Sequence, residues 1–338
     1  MVALRNTCSQ LLAVTALWTG HLRLTDSALL GAASTEETRD TESQLLELLT
    51  RFPEAQGLSW SEEDTAKRRD SHQHQHQHHG EQQGASAPRG ITDEALARVG
   101  CNLRSLELML CADISGRGVA LALDRAPKMR VLSILSGGVM EDSRWISHAA
   151  CARLEQLELA CVALSAEAVS TVARHCTQLR VLSLGDVGDA DFGGVGEEVA
   201  WPHLWSLELH AMRNVGGLLY AASAPGLLRQ LDVTDCEFPP PTIRVVAERS
   251  PLLTELDLSG CSGVTDWTVA VVLRQCAALE WLELFACPRL TNHAANLIQR
   301  ATGAGGPSPR LRSVGLSRSV DLDARQRLHA ARPHLRVR

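Results

Sequence analysis

Residues 253–269 read LTELDLSGCSGVTDWTV, and two periodicities meet in that stretch. Apolar side chains fall on Leu253, Leu256 and Leu258, with Glu255 and Asp257 between them. An x-Leu-x-Leu-x core alternating with period two is a short strand with one face buried. From Thr265 onward, in TDWTVAVVLRQC, the apolar spacing becomes helical, and the Thr-Asp at its start suits a helix N-cap. A strand, a tight turn and a helix in about 25 residues cannot bury a core alone. Such a unit has to stack on copies of itself.

The copies are present. LRSLEL starts at Leu103, MRVLSI at Met129, LEQLEL at Leu154, LRVLSL at Leu179 and LWSLEL at Leu204. LRQLDV follows at Leu228, LTELDL at Leu253, LEWLEL at Leu279 and LRSVGL at Leu311. Successive starts are 26, 25, 25, 25, 24, 25, 26 and 32 residues apart. The pattern predicts an α/β leucine-rich-repeat solenoid: a horseshoe with one parallel, concave sheet and helices outside it. Composition agrees, since 52 of the 338 residues are leucine while aromatics are only 4%. A hydrophobic content of 45% excludes a wholly disordered chain, and no run of 18 apolar residues supports a membrane span. The net charge of −6 gives no electrostatic case for nucleic acid.

Residues 1–60 carry looser repeats. Cys8-Ser9-Gln10-Leu11 echoes Cys176-Thr177-Gln178-Leu179, Leu24-Thr25-Asp26 echoes Val264-Thr265-Asp266, and a strand fits near Leu58. The register is therefore expected to run from residue 1, already inside a repeat. Arg5 and the LLAVTALW run only faintly imitate a secretory signal, because polar NTCSQ interrupts them. Residues 61–90 form a polar, low-complexity insertion rich in His and Gln, expected to be disordered. The regular repeats cover 91–320, and 321–338 is an Arg-rich cap or tail. Charge is uneven: 36–65 holds nine acids and two bases, 310–338 eight arginines and two aspartates.

All ten cysteines occupy repeat positions. Cys111, Cys161, Cys236, Cys261 and Cys287 follow a strand; Cys8, Cys101, Cys151, Cys176 and Cys276 precede one. A small, slightly polar thiol fits beside turning backbone there, so reduced structural thiols are expected, with a cytoplasmic or nuclear location. No paired Cys-x-x-Cys motifs point to zinc. With its cysteines, the repeat LTELDLSGCSGVTDWTV resembles the cysteine-containing leucine-rich repeat family, whose units run roughly L-x-x-L-x-L-x-x-C-x-x-(I/V)-T-D-x-x-L. LEWLELFACPRLTN, from Leu279, is similar. In that family the repeats are most familiar from F-box/leucine-rich-repeat proteins, the substrate receptors of SCF ubiquitin ligases. The resemblance implies a solenoid that holds a target protein, with a Skp adaptor and cullin as further partners. No F-box is visible before the first repeat, so a longer protein or an F-box-less relative is expected.

Catalysis finds no support. There is no Gly-x-Ser-x-Gly elbow, no phosphate-cradling glycine loop and no His-Glu-x-x-His, and the adjacent His175 and Cys176 would point about 100° apart on a helix. No catalytic residue, cofactor or metal is expected. The histidines of the insertion (His72, His74, His76, His78 and His79) have no geometry that selects a metal.

The concave face carries the functional signal. Between the second and third anchors of successive strands stand Glu107, Ser133, Glu158, Ser183, Glu208, Asp232, Asp257, Glu283 and Gly315. Strands lie about 4.8 Å apart, so Glu208, Asp232, Asp257 and Glu283 would form a row of four carboxylates. Like charges opposite each other destabilise a sheet, which makes a basic partner a reasonable reason for the row. Trp281, Glu283 and Phe285 alternate on one strand, with Glu255 beside them, and exposed aromatics in a charged surface resemble a binding hot spot. The expected function is non-enzymatic protein recognition through this face by a monomer, and the family resemblance implies the substrate-recognition component of an SCF-type ligase in ubiquitin-dependent catabolism. The alternative is a stand-alone interaction scaffold with no ubiquitin role.

Overall fold

Because each strand's leucines leave water only against neighbouring repeats, the strands must lie side by side. The computed structural model describes residues 21–25, 56–61, 91–109, 111, 114–135, 143–187, 192 and 201–338. They fall into two compact units, Met1–Ala163 and Leu164–Arg338. Each is an α/β leucine-rich-repeat solenoid. The insertion expected over 61–90 lies, from residue 62 on, outside the described residues.

In the first unit, strands β1 (His21–Thr25), β2 (Gly57–Ser61), β3 (Ser105–Met109), β4 (Val131–Leu135) and β5 (Gln156–Ala160) pair in parallel. Leu58, Leu106, Leu132 and Leu157 are register partners along this run and are buried to 0% exposure. Helices α1 (Asp93–Leu96) and α2 (Gly116–Arg125) are capped by Thr92 and Ser115. Between β4 and β5 the helical spacing resolves into two 3-10 turns, Ser143–Ser147 and Ala149–Arg153, around buried Trp145 and Ile146.

The second unit alternates helix and strand: α3 (Ala166–His175), β6 (Val181–Gly185), β7 (Ser206–His210), α4 (Gly216–Ser223), β8 (Gln230–Asp232), α5 (Thr242–Arg249) and β9 (Glu255–Asp257). It continues with α6 (Asp266–Gln275), β10 (Trp281–Leu284), α7 (Asn292–Ala301), β11 (Ser313–Leu316), α8 (Leu322–Ala331) and β12 (Arg336–Val337). Residues 321–338, expected as a cap or tail, thus fold as one more helix and a short strand, with β12 parallel to β11. Leu335 at 0% exposure anchors that strand.

Two features the strand pattern does not announce tie the repeats together. First, Asp266 in the opening turn of α6 accepts the N–H (3.0 Å) and hydroxyl (2.5 Å) of Thr291, the N-cap of the next helix. Asp93 does the same for the N–H (2.8 Å) and hydroxyl (2.6 Å) of Ser115. Second, the thiols of Cys236, Cys261 and Cys287 donate to the carbonyls of Leu209 (3.2 Å), Val233 (3.0 Å) and Leu258 (3.2 Å), one repeat earlier in each case. Burial pushes the Cys236 and Cys287 thiols up to about 12, and Cys261 upward as well, so the three stay protonated as donors; buried Cys276 is likewise pushed up to about 12.

Strands leave through a left-handed residue at a fixed place in the repeat: Cys161, Asp186, Ala211, Asp235, Gly260 and Ala286. At Gly260 (φ 73°) a Cβ would also sit 1.8 Å from Asp235 Oδ1 and 3.2 Å from its Cα. Gly260→Ala is therefore expected to lower stability in urea by about 1–2 kcal/mol, through left-handed strain plus the displaced Asp235. Gly263→Ala, whose Cβ would come no closer than 3.7 Å to the Phe238 carbonyl, serves as the neutral control. Equal midpoints for the two variants would contradict this account.

Candidate functional site: an acidic row in the second unit

Alternation along each strand sends every second residue to the open face. In the second unit the register runs Ser183↔Glu208, Glu208↔Asp232, Asp232↔Asp257, Asp257↔Glu283 and Glu283↔Gly315. The four carboxylates named from the sequence are thus direct neighbours. Glu255 pairs with Trp281 in the adjoining column. The first unit arranges its acids differently. There Ser133 separates Glu107 from Glu158 and donates to Glu158 Oε2 at 2.9 Å, while Gln156 Nε2 donates to Glu158 Oε1 at 2.5 Å.

The row is not uniform. Asp232 Oδ1 accepts the N–H (2.9 Å) and hydroxyl (2.6 Å) of Thr234. Asp257 Oδ1 accepts the Ser259 N–H at 2.8 Å. Aspartate at these two positions therefore also has a local role: it closes the turn two residues on. His210 Nδ1 stands 3.9 Å from Asp232 Oδ1 and adds an imidazole to the face. Burial raises the Asp257 carboxyl above the usual carboxylate range and Asp232 adds to it, against the opposing Ser259 contacts and His210.

At the far end the structure departs from the sequence reading. Glu283, read as an outward contact, is 2% exposed. The Arg338 guanidinium covers it, bonded to Oε1, and lies 5.6 Å over the Trp281 ring. Glu283 Oε2 is buried with no hydrogen-bond partner. Burial raises the Glu283 carboxyl, with Arg338 and the Trp281 side chain opposing the shift and Asp257 reinforcing it. Trp281 is half-buried, whereas Phe285 is 39% exposed, with its N–H donating to Ser259 Oγ at 3.2 Å. Glu208, Asp232, Glu255 and Asp257 are all part-exposed.

Gly315 completes this end. A Cβ there would stand 1.7 Å from Glu283 Oε2 and 2.6 Å from Phe285 Cζ. Only a residue without a side chain leaves Glu283 and Phe285 room to lie across the next strand. The sequence reading named Gly315 as a member of the column but missed what its bareness permits, and it missed Arg338 and His210 as parts of the face. Among the described residues no cluster of His, Cys, Asp and Glu is arranged to hold a metal.

No protein-family model and no curated protein matches the sequence. Among solved structures, the chain is similar to one in the TLR13-ssRNA13 complex, with TM-score 0.46 and 20% identity over 65% of this chain. It spans 30% of that protein's length. It is also similar to one in the complex of Rad7 and Elc1 in yeast, with TM-score 0.39 and 12% identity over 91% of this chain and 89% of the other. No role or partner is carried over from either.

Proposed function

We propose that the chain is a non-enzymatic recognition solenoid that binds a basic protein segment across Glu208, Asp232 and Asp257. The observation that carries the reading is the register itself, which stacks carboxylates on adjacent strands where the fold gains nothing from their repulsion. Such a surface steers a basic partner and fixes its register. The aromatic end, Trp281 and Phe285, supplies the area that dominates interface energies.

The cellular context we propose is substrate recognition for an SCF-type ubiquitin ligase, in the cytoplasm or nucleus. What supports it is the resemblance of the cysteine-containing repeats at Leu253 and Leu279 to F-box/leucine-rich-repeat proteins. The test is affinity purification of the tagged chain from its own cells, read by mass spectrometry. Skp adaptor and cullin in the eluate are the expected result. A specific protein partner without them would leave a stand-alone recognition scaffold and remove the ubiquitin assignment. In the same assay, Trp281→Ala with Phe285→Ala is expected to lose the target protein while leaving the far-ultraviolet circular dichroism melt close to wild type. Undiminished capture would take the aromatic end out of the interface.

A further inference from the structure

Among the described residues, Glu283 is the one buried carboxylate with an oxygen that makes no hydrogen bond. A carboxylate at 2% exposure is costly unless both oxygens are engaged, and only Oε1 is. The group facing it is a guanidinium, and guanidinium–carboxylate pairs are strongest when two parallel N–H groups meet both oxygens. Arg338 makes a single contact and leaves Oε2 unused over Gly315. Its planar cation meanwhile lies over the face of Trp281, the position a bound cation takes on an aromatic ring. An indole face, a carboxylate and a bare glycine floor together form a receptor for a planar cation. The chain's own arginine is seated in it incompletely.

Arg338 is also placed to leave. Its side chain is 37% exposed, and it follows a strand only two residues long. The backbone contacts of that strand do not depend on the side chain: Arg336 N donates to the Arg312 carbonyl (2.8 Å), Arg338 N to the Val314 carbonyl (2.9 Å), and Leu316 N to the Arg338 carbonyl (3.0 Å). The guanidinium can swing out while β12 stays paired. From the vacated seat the carboxylates of Asp257 and Asp232 continue along the row, with no Arg or Lys in the column between them.

We infer that Trp281, Glu283 and Gly315 form a guanidinium-binding site, that Arg338 occupies it as an internal competitor, and that a partner's arginine displaces Arg338 while its neighbouring basic residues follow the row toward Asp232. This rests on the acidic face being a recognition surface. It adds that the partner class is an arginine-bearing segment, distinguished from a lysine-bearing one. A guanidinium stacks on Trp281 and offers a fork to Glu283, whereas an ammonium is a compact, strongly hydrated point charge.

The test uses the full chain and a fluorescein-labelled nonapeptide of alternating Gly and Arg, with Lys and citrulline counterparts, read by fluorescence anisotropy at low salt. Arg338→Ala is expected to tighten the Arg peptide about tenfold, as removal of a competitor that fills the site about 90% of the time requires. The Lys peptide should gain less and the citrulline peptide should not bind. Arg338→Gln, which keeps the length of the side chain, should give the same gain, so a folding defect of one variant does not decide the outcome. Gly315→Ala, placing a methyl group where Glu283 and Phe285 lie, should remove the preference for Arg over Lys even when combined with Arg338→Ala. If both Arg338 variants leave the Arg peptide's affinity unchanged or weaker, Arg338 is a structural clasp and the inference falls. Should Asp232→Asn with Asp257→Asn still weaken the peptide in that case, the recognition surface stands without the arginine seat. Should they not, both readings fall.

Discussion

Leu282→Ala is expected to lower the stability of the second unit by about 3–5 kcal/mol, a large share of the total for a domain whose net stability is about 5–15 kcal/mol. Leu282 is at 0% exposure and is the register partner of Leu256 on β9 and Val314 on β11, at 1% and 0%. It thus shares a buried column with one core leucine and one core valine on the neighbouring strands, and truncation is expected to leave a cavity that two flanking strands hold open. In a stacked array each repeat is stabilised only by its neighbours, so the loss weakens both interfaces of β10 at once. Urea unfolding followed by circular dichroism is the measurement. The control is Phe285→Ala on the same strand end, expected to cost under about 1 kcal/mol because surface substitutions rarely cost more. A Leu282→Ala loss as small as the control's would mean that the leucine column is not what holds the strands.

That column is legible because it depends only on the spacing of apolar anchors, in a motif that occurs nine times from Leu103 to Leu311. Period two within a strand and about 25 residues between strands fix both the fold class and which residues share a row. For this reason the sequence alone places Glu208, Asp232, Asp257 and Glu283 side by side. What was not legible depends on contacts between residues with no common period. Leu335 stands 24 residues after Leu311, on the repeat's own spacing, but a single leucine among arginines carries no alternation and reads as a tail. With β12 unread, Arg338 had no place in the face, and Glu283 was counted as exposed although it is buried. The roles of Asp266 and Asp93 as ties to the next repeat were hidden for a related reason. An aspartate in the first turn of a helix is already explained by the helix dipole, and nothing in the spacing shows that its oxygens reach Thr291 and Ser115 instead.

Asp257→Asn, alone and with Asp232→Asn, is expected to make the protein more stable and a poorer binder at the same time. Asparagine keeps the side-chain oxygen that accepts the Ser259 N–H, and at 232 the one that accepts the Thr234 N–H and hydroxyl, so the turns stay closed. What disappears is charge from the middle of a row whose members face each other on adjacent strands. Relief of like-charge pairs across a sheet is worth about 0.2–1 kcal/mol each, so thermal unfolding at neutral pH should move upward. The pH dependence follows from the raised Asp257 carboxyl. A carboxyl whose folded pKa lies above its unfolded value costs the folded state stability at pH above the folded value. That cost is relieved as pH falls through the folded value toward the unfolded one. The advantage of Asp257→Asn over wild type is therefore largest at neutral pH and shrinks as the solution is acidified, with the two stability curves converging. Affinity for a basic peptide should run the other way, falling by about tenfold (~1.4 kcal/mol) in the double variant at pH 7 and becoming less sensitive to salt. Stability gained where binding is lost is the usual mark of residues kept for function at some cost to the fold. If the double variant instead loses stability and binds the peptide as well as wild type does, the aspartates serve the turns alone, and the row is a by-product of the repeat.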